Sequence, residues 1–257
     1  FTRGELAPLE PNNREAIVQR SSAKRQSGQN RKYFTDDIVR NRLTISRLAE
    51  KIRNCMLVHL DDARIKSRAG ALAPEKVWRG VVLGDESVFT RPERGNDTEL
   101  SVDILLDASA SQIERQESVS TQAYMIAESL TRCGIPTRVY SFCTLSGCTV
   151  LRLYRDYEEP GKNENIFDYC AAGWNRDGLA FRAAGWLMRS SHCERRLLMI
   201  LSDASPNDDR KITDRDTGRQ ELYRGQAGVI DSAEEVEKLR REGISVMCIF
   251  TGEDADL

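Results

Sequence analysis

The chain has 257 residues, of which 40% are hydrophobic and 30% are charged. This composition is typical of a soluble protein with one sizeable core. The formal net charge of -2 argues against general nucleic-acid binding, which requires a strong basic excess. We find no signal peptide and no apolar run long enough to span a membrane. Seven cysteines without a Cys-x-x-Cys pair favour free thiols, so we expect a cytoplasmic protein.

Residues 1–99 are predicted to form an extension that precedes the main domain. Residues 1–60 contain twelve Lys or Arg and six Asp or Glu, which predicts a solvated, partly disordered arm or a surface for an acidic partner. Thr35 can cap a helix and apolar residues at helical spacing follow it, so a helix is predicted over about 36–57. Two apolar runs on either side of Gly84-Asp85 predict a hairpin over about 77–90.

From residue 100 onward, apolar strand patterns alternate with amphipathic helix patterns. This alternation predicts an α/β fold with a doubly wound, mostly parallel sheet over 100–257. A long polar loop is expected between the fourth strand and the last helix. The predicted strands cover 102–107, 137–142, 148–154, 196–201 and 244–250, and the predicted helices cover about 118–133, 178–190 and 229–242.

Oxygen-bearing side chains follow two of these predicted strands. Asp107, Ser109 and Ser111 are alternate residues of an extended turn and can therefore converge on one point. Asp203 follows a second strand, and Asp177 lies in an acidic turn between them. Hard divalent cations prefer oxygen ligands, so these five residues predict a Mg²⁺ site, with Mn²⁺ or Ca²⁺ as alternatives. The competing interpretation is that Asp107 and Ser109 only cap the following helix.

These residues resemble a known family. The set Asp107-x-Ser109-x-Ser111, the Asn175-Arg176-Asp177-Gly178 loop and Leu201-Ser202-Asp203 are similar to the metal-ion-dependent adhesion site (MIDAS) of the von Willebrand factor A domain. The resemblance covers about residues 100–257. Within the family, the loop at Asp177, the stretch Ser205-Pro206-Asn207-Asp208 and the predicted hairpin resemble the branch that contains the NorD and CobT proteins.

The resemblance implies a non-enzymatic adaptor that binds protein partners through Mg²⁺. In the NorD and CobT branch it further implies a MoxR-type AAA+ ATPase partner and a client metalloenzyme that is activated or loaded with metal. Two departures from the family pattern are present. Asp177 stands where many members have Thr, and the usual final helix and strand are missing after residue 250, which suggests truncation or an open sheet edge.

Two other functions compete with the adaptor. A metal-dependent hydrolase or phosphotransferase would use Asp107 as its nucleophile. Such enzymes place a second carboxylate two residues later, where this chain has Ser109, and no phosphate-binding loop or nucleophile elbow occurs. An assembly module with a degenerate metal site is the third reading. The adaptor is the function that the sequence favours.

Overall fold

The structure is a computed structural model that describes residues 1–3, 14–62, 64–67, 71–72, 74, 77–84, 88–92, 100–145, 147–213, 218 and 220–252. Short 3-10 helices over 110–115 and 160–168 supplement the main elements. In chain order these elements are α1 (Arg14–Asp36), α2 (Ile38–Asp62), β1 (Arg64–Ser67), β2 (Ala71–Leu72), α3 (Val77–Leu83), β3 (Phe89–Pro92), β4 (Leu100–Asp107), α4 (Gln116–Arg132), β5 (Thr137–Leu145), β6 (Cys148–Arg155), α5 (Asp177–Met188), β7 (Arg195–Ser202), β8 (Asn207–Thr213), β9 (Gln220–Arg224), α6 (Gln226–Arg241) and β10 (Ile244–Phe250).

A five-stranded sheet forms the centre of the molecule, with the strand order β10-β7-β4-β5-β6. The strands β10, β7, β4 and β5 are parallel, and only β6 runs antiparallel, as a hairpin with β5. The prediction of a doubly wound, mostly parallel sheet is therefore confirmed. No helix in the described part of the chain has the length and apolar character that a membrane crossing requires.

Strand β4 shows why the sheet has two covered faces. Val102, Ile104 and Leu106 pack in the cluster that includes α4, whereas Leu105 packs in the cluster that includes α5 and α6. Because successive side chains of a strand point to opposite faces, a parallel strand with helices on both faces must be apolar at consecutive positions. All four residues are fully buried.

The N-terminal extension packs on the sheet domain through α1 and α2, both of which contact α4. The predicted helix over 36–57 corresponds to α2, which buries Ile45 and Ala49. Over residues 14–36, the arm predicted before it is an ordered helix, α1, rather than partly disordered, although most of its described side chains are exposed to solvent. Its contact face contains the buried polar residues Gln26 and Asn30, so the apolar periodicity that identifies most packed helices is absent.

Two further predictions are corrected. The hairpin predicted over 77–90 is absent, because residues 77–83 form helix α3, and β3 pairs with β1 and β2 instead. The long polar loop after β7 contains the antiparallel pair β8 and β9. Most residues of these two strands are exposed, so neither face carries the apolar alternation from which a strand is predicted.

A buried polar network lies at the end of the sheet where β4 begins. The carboxylate of Asp103 accepts hydrogen bonds from the hydroxyls of Tyr140, at 3.0 Å, and Tyr157. The guanidinium of Arg138 lies 3.9 Å from the same carboxylate. Burial raises the pKa of Asp103 to about 6, although these hydrogen bonds and Arg138 oppose the rise.

This shift predicts how Asp103 contributes to stability across the acidic pH range. Because the pKa in the folded chain exceeds the unfolded value, the contribution is fully present below about pH 4 and is lost as the pH rises through 6. We compare the free energy of unfolding of the parent with that of Asp103→Asn. The difference, parent minus variant, should increase by on the order of 3 kcal/mol as the pH falls from 7 to 4. Denaturant titrations of both proteins at several pH values measure this difference in unfolding free energy. A difference that does not change with pH would contradict the expectation.

Candidate metal centre

The candidate metal centre lies where the parallel strands β4 and β7 end side by side. In their register, Leu106 is opposite Leu201, so Asp107 and Ser202 are neighbours. The connection that leaves β4 leads to β5 on one side, and the chain later returns to β7 on the other side. A doubly wound sheet forms its ligand crevice at such a reversal, beyond the carboxyl ends of the strands.

Asp107 is fully buried at this crevice. Its Oδ1 accepts a hydrogen bond from the backbone amide of Ser109 at 2.9 Å. Its Oδ2 accepts one from the hydroxyl of Ser202 at 2.8 Å and a longer one from the Asn175 amide at 3.4 Å. Burial, with repulsion from Asp203 as a lesser cause, raises the pKa of Asp107 to about 6 against the effect of these donors.

The two hydroxyls of the turn converge as predicted. Ser109 Oγ and Ser111 Oγ lie 2.9 Å apart. The 3-10 helix over 110–115 begins directly after Ser109, yet the Ser109 hydroxyl makes no capping hydrogen bond to it. Ser109 thus occupies the N-cap position, but its hydroxyl is directed to Ser111 rather than to the helix amides. Asp107 does accept a local hydrogen bond from the Ser109 amide, so its carboxylate also stabilises the turn.

Asp177 and Asp203 complete the set of predicted residues. Asp177 begins helix α5, and Asp203 directly follows β7. Both are buried, and Oδ1 of Asp177 has no hydrogen-bond partner in the part of the chain that the structure describes. Burial, together with repulsion from Asp107 and Asp203, raises the pKa of Asp177 well above its usual value. The structure thus brings three acidic side chains into electrostatic contact at the end of the sheet.

The donors at this centre are of mixed chemistry. Among the described residues, no three His, Cys, Asp or Glu side chains form a ready-made group that could hold a metal ion. A cation here would depend on the Ser109 and Ser111 hydroxyls as well as on the carboxylates.

Two functional residues were not included in the predicted set, Asn175 and Ser202. Both belong to the motifs around Asp177 and Asp203, and both donate hydrogen bonds to Asp107. Asn175 also accepts a hydrogen bond from the amide of Asn207 at 2.9 Å, which fixes the β8–β9 pair beside the centre. Asn175 lies two residues before Asp177, and Ser202 lies one residue before Asp203. This closeness to an acidic ligand candidate is the sequence signal that could have identified them.

Gly173 brings the loop before α5 close to the turn that follows β4. Its carbonyl accepts a hydrogen bond from the Ala110 amide at 2.9 Å. It has a φ of 72°, and an added Cβ would clash with the carbonyl oxygen of Thr144. We expect Gly173→Ala to lower the free energy of unfolding by about 3 kcal/mol, from backbone strain and from the clash.

Gly134→Ala is the matched control for this substitution. Gly134 has the same φ of 72°, and nothing lies within 4 Å of the position that a Cβ would take. Its substitution should cost only the strain, about 1 kcal/mol. Urea unfolding of both variants measures the difference. Equal decreases in the free energy of unfolding would show that the clash at Thr144 does not affect stability.

The chain is similar in sequence to two curated proteins. It is 27% identical to Protein NorD of Stutzerimonas stutzeri over 68% of this chain and 25% of that protein. It is 26% identical to an uncharacterized protein of Pseudomonas aeruginosa over 62% of this chain and 24% of that protein. The chain thus spans about a quarter of the length of each relative. No family model matches it.

Solved structures similar to this one include a mutant of the minor pilin PilB from Streptococcus sanguinis, with 14% identity, a TM-score of 0.46 and coverage of 66% of this chain and 54% of that chain. The manganese-loaded TRAP protein of Plasmodium vivax shares 14% identity, with a TM-score of 0.40 and coverage of 62% and 60%. From its sheet topology and the turn after β4, the chain has a von Willebrand factor A-like fold, and in sequence it is similar to NorD.

Proposed function

We propose that this chain is a metal-dependent protein-binding adaptor. Its Mg²⁺ site would consist of Asp107, Ser109, Ser111, Asp177 and Asp203, with Mn²⁺ or Ca²⁺ as alternative ions. The observation that carries the proposal is the convergence of two hydroxyls 2.9 Å apart with three buried acidic residues, Asp107 at the end of β4, Asp203 directly after β7 and Asp177 at the start of α5. Oxygen donors of this kind suit hard divalent cations.

The electrostatics of the centre fit a cation. Burying carboxylates is unfavourable unless an opposite charge or hydrogen bonds compensate for the lost hydration. Asp107 has three donors, but one buried oxygen of Asp177 has no hydrogen-bond partner among the described residues. Burial, together with repulsion among the acids, raises the pKa of both groups. A divalent cation would remove this repulsion, which is the physical argument for an ion at this position.

Each residue has a separate task in the proposed site. The Ser109 and Ser111 hydroxyls would hold the ion, and Asp107 orients the turn while contributing charge. With the hydroxyls bound directly and the carboxylates partly through water, a bound Mg²⁺ would supply an electrophilic position for a carboxylate of the partner protein. Ile113 and Trp174 are about half exposed next to the turn and to Asn175. They would supply apolar contact area around that carboxylate.

The partner class follows from the resemblance to the NorD and CobT branch. We propose a MoxR-type AAA+ ATPase, a client metalloenzyme, or both, as the proteins that bind at the centre. The sequence similarity to NorD supports this assignment.

The exposed basic residues Arg40, Arg47 and Lys51 lie on one side of α2 and have no ion-pair partner among the described residues. They offer a second surface for an acidic partner. All seven cysteines are free, which agrees with the proposed cytoplasmic location.

Metal binding provides the direct test of the proposed site. Saturating Mn²⁺ or Mg²⁺ should raise the melting temperature, and an ion at 100 times its Kd stabilises the folded chain by about 2.7 kcal/mol. Ser111→Ala should weaken Mn²⁺ binding, because it removes one hydroxyl donor. Ser118→Ala is the control, since its hydroxyl lies in α4 and only accepts a hydrogen bond from Gln122. No shift in the unmodified chain would refute the site.

Partner binding requires a second experiment. The immobilised chain should capture the MoxR-type ATPase from the same organism in Mg²⁺, and EDTA should release it. Capture that persists in EDTA would support an assembly module without a working metal site. Hydrolysis of a model phosphate ester that Mg²⁺ stimulates and that Asp107→Ala abolishes would instead support the enzyme reading.

A further inference from the structure

A buried asparagine bonds helix α1 to the segment 167–169, which in turn contacts the metal-centre turn. The side chain of Asn30 is fully buried. Its Nδ2 donates hydrogen bonds to the carbonyl oxygens of Phe167, at 2.8 Å, and Tyr169, at 2.9 Å. Its Oδ1 accepts a hydrogen bond from Gln26, one turn earlier in α1, at 2.9 Å. The side-chain amide group of Asn30 therefore bonds the backbone of the segment 167–169 at two carbonyls and links it to α1.

The same segment holds the metal-centre turn. The hydroxyl of Tyr169, which is fully buried, donates a 2.5 Å hydrogen bond to the backbone carbonyl of Asp107. Three residues later, the amide of Ala172 donates to the carbonyl of Ala108 at 2.7 Å. The backbone of the turn is thus bonded at two successive carbonyls to a segment that Asn30 ties to α1.

We infer that Asn30 and Tyr169 are positioning residues of the metal centre, and that the docking of α1 sets its affinity for a divalent cation. This inference rests on the proposed metal site. Neither side chain is a candidate ligand. The directions of the Ser109 and Ser111 hydroxyls depend on the backbone between Asp107 and Ser111, which these contacts hold. Loss of a group that supports the ligands in this way typically costs about 10-fold to 100-fold in metal affinity.

The contacts that connect α1 to the metal-centre turn are buried, so water cannot replace a hydrogen bond that is lost from them. Without the Asn30 amide, two buried carbonyl oxygens would lose their donor, and the segment 167–169 would shift to recover partners. Removal of the Tyr169 hydroxyl would leave the Asp107 carbonyl without that donor. The aromatic ring of Tyr169 would keep its packing in the core cluster that includes α4. The substitution Tyr169→Phe therefore removes the link with little change in shape.

Mn²⁺ titration of the purified chain, followed by the electron paramagnetic resonance signal of the free ion, tests the inference. Asn30→Ala and Tyr169→Phe should each raise the Kd for Mn²⁺ by about tenfold. Because both act through one chain of contacts, the double variant should bind about as weakly as the weaker single variant rather than showing the product of the two effects.

Two control variants separate positioning from general loss of stability. Ser129→Ala removes a buried hydroxyl in α4 that donates to the Ile45 carbonyl of α2 at 3.2 Å. Tyr140→Phe removes a buried hydroxyl that donates to Asp103, at the other end of the sheet. Both should lower the melting temperature and leave the Kd for Mn²⁺ within about twofold of the parent.

The outcomes are distinct. Parental Mn²⁺ affinity in Asn30→Ala and Tyr169→Phe would overturn the inference while the proposed site stands. Equal weakening in the two controls would overturn it as well, because the effect would then follow stability alone. Absence of Mn²⁺ binding by the unmodified chain would overturn the proposed function and, with it, this inference.

Discussion

Asp107→Ala is expected to abolish Mn²⁺ binding and the metal-dependent capture of the ATPase partner. The carboxylate is fully buried and contacts both sides of the site, through the Ser109 amide and the Ser202 hydroxyl. Its removal takes away a charge at the proposed ion and the hydrogen bonds that shape the turn. We expect the Kd for Mn²⁺ to rise by at least about 100-fold, since loss of a supporting group alone costs 10-fold to 100-fold.

Asp103→Ala is the matched control for this variant. Asp103 lies on the same strand, is equally buried, and has a pKa raised to about 6 like that of Asp107. It lies four residues earlier, toward the opposite end of β4. Asp103→Ala should change stability and leave the Kd for Mn²⁺ at the parental value. Mn²⁺ titrations of both variants, with melting temperatures measured in EDTA, distinguish a ligand from a structural acid. Loss of binding in both would contradict the assignment of Asp107.

The sheet could be predicted from the sequence because its signals are local. The apolar stretches of β4 and β7 are consecutive rather than alternating, which is typical of parallel strands covered on both faces. The predicted ligand residues follow directly from these strands. The parallel pairing of β4 with β7 then brings Asp107 and Asp203 together without any further assumption.

The elements that were missed have polar contact surfaces. Helix α1 packs through Gln26 and Asn30 rather than through an apolar stripe, and β8 and β9 have few buried residues. Prediction from hydrophobic periodicity has no signal in either case. Helix α3 was assigned to a hairpin because its apolar residues Val77, Trp78, Val81 and Val82 also fit a short strand, and length alone does not separate the two.

The role of Tyr169 could not be predicted from the sequence for a different reason. It lies between a 3-10 helix and the loop before α5, and nothing around it indicates a ligand or a turn motif. Its hydrogen bond to the Asp107 carbonyl joins residues 62 positions apart. Contacts of this kind depend on the completed packing of α1, α4 and the sheet. A metal centre can therefore be located from its ligand motif, whereas the residues that hold the ligands require the structure.

Asp177→Asn is expected to have opposite effects on stability and on metal binding. In the metal-free chain, this buried carboxyl is repelled by Asp107 and Asp203, and no described residue bonds one of its oxygens. Asparagine has nearly the same shape and no charge. The variant should therefore be more stable than the parent in EDTA at pH 7, by roughly 1 to 2 kcal/mol.

In the presence of Mn²⁺ the order of stability should reverse, with the parent more stable than Asp177→Asn. Removal of one acidic group lowers the attraction for the ion, so the Kd should rise and the metal-induced increase in melting temperature should shrink. Asp231→Asn is a suitable comparison, because Asp231 is also buried near Gly178 but lies in α6, outside the candidate ligands. A stabilised variant with lower affinity would show that the negative charge of Asp177 is kept for the ion at the expense of the fold. A variant that loses stability in EDTA would instead mean that Asp177 stabilises the start of α5 and is not part of a cation site.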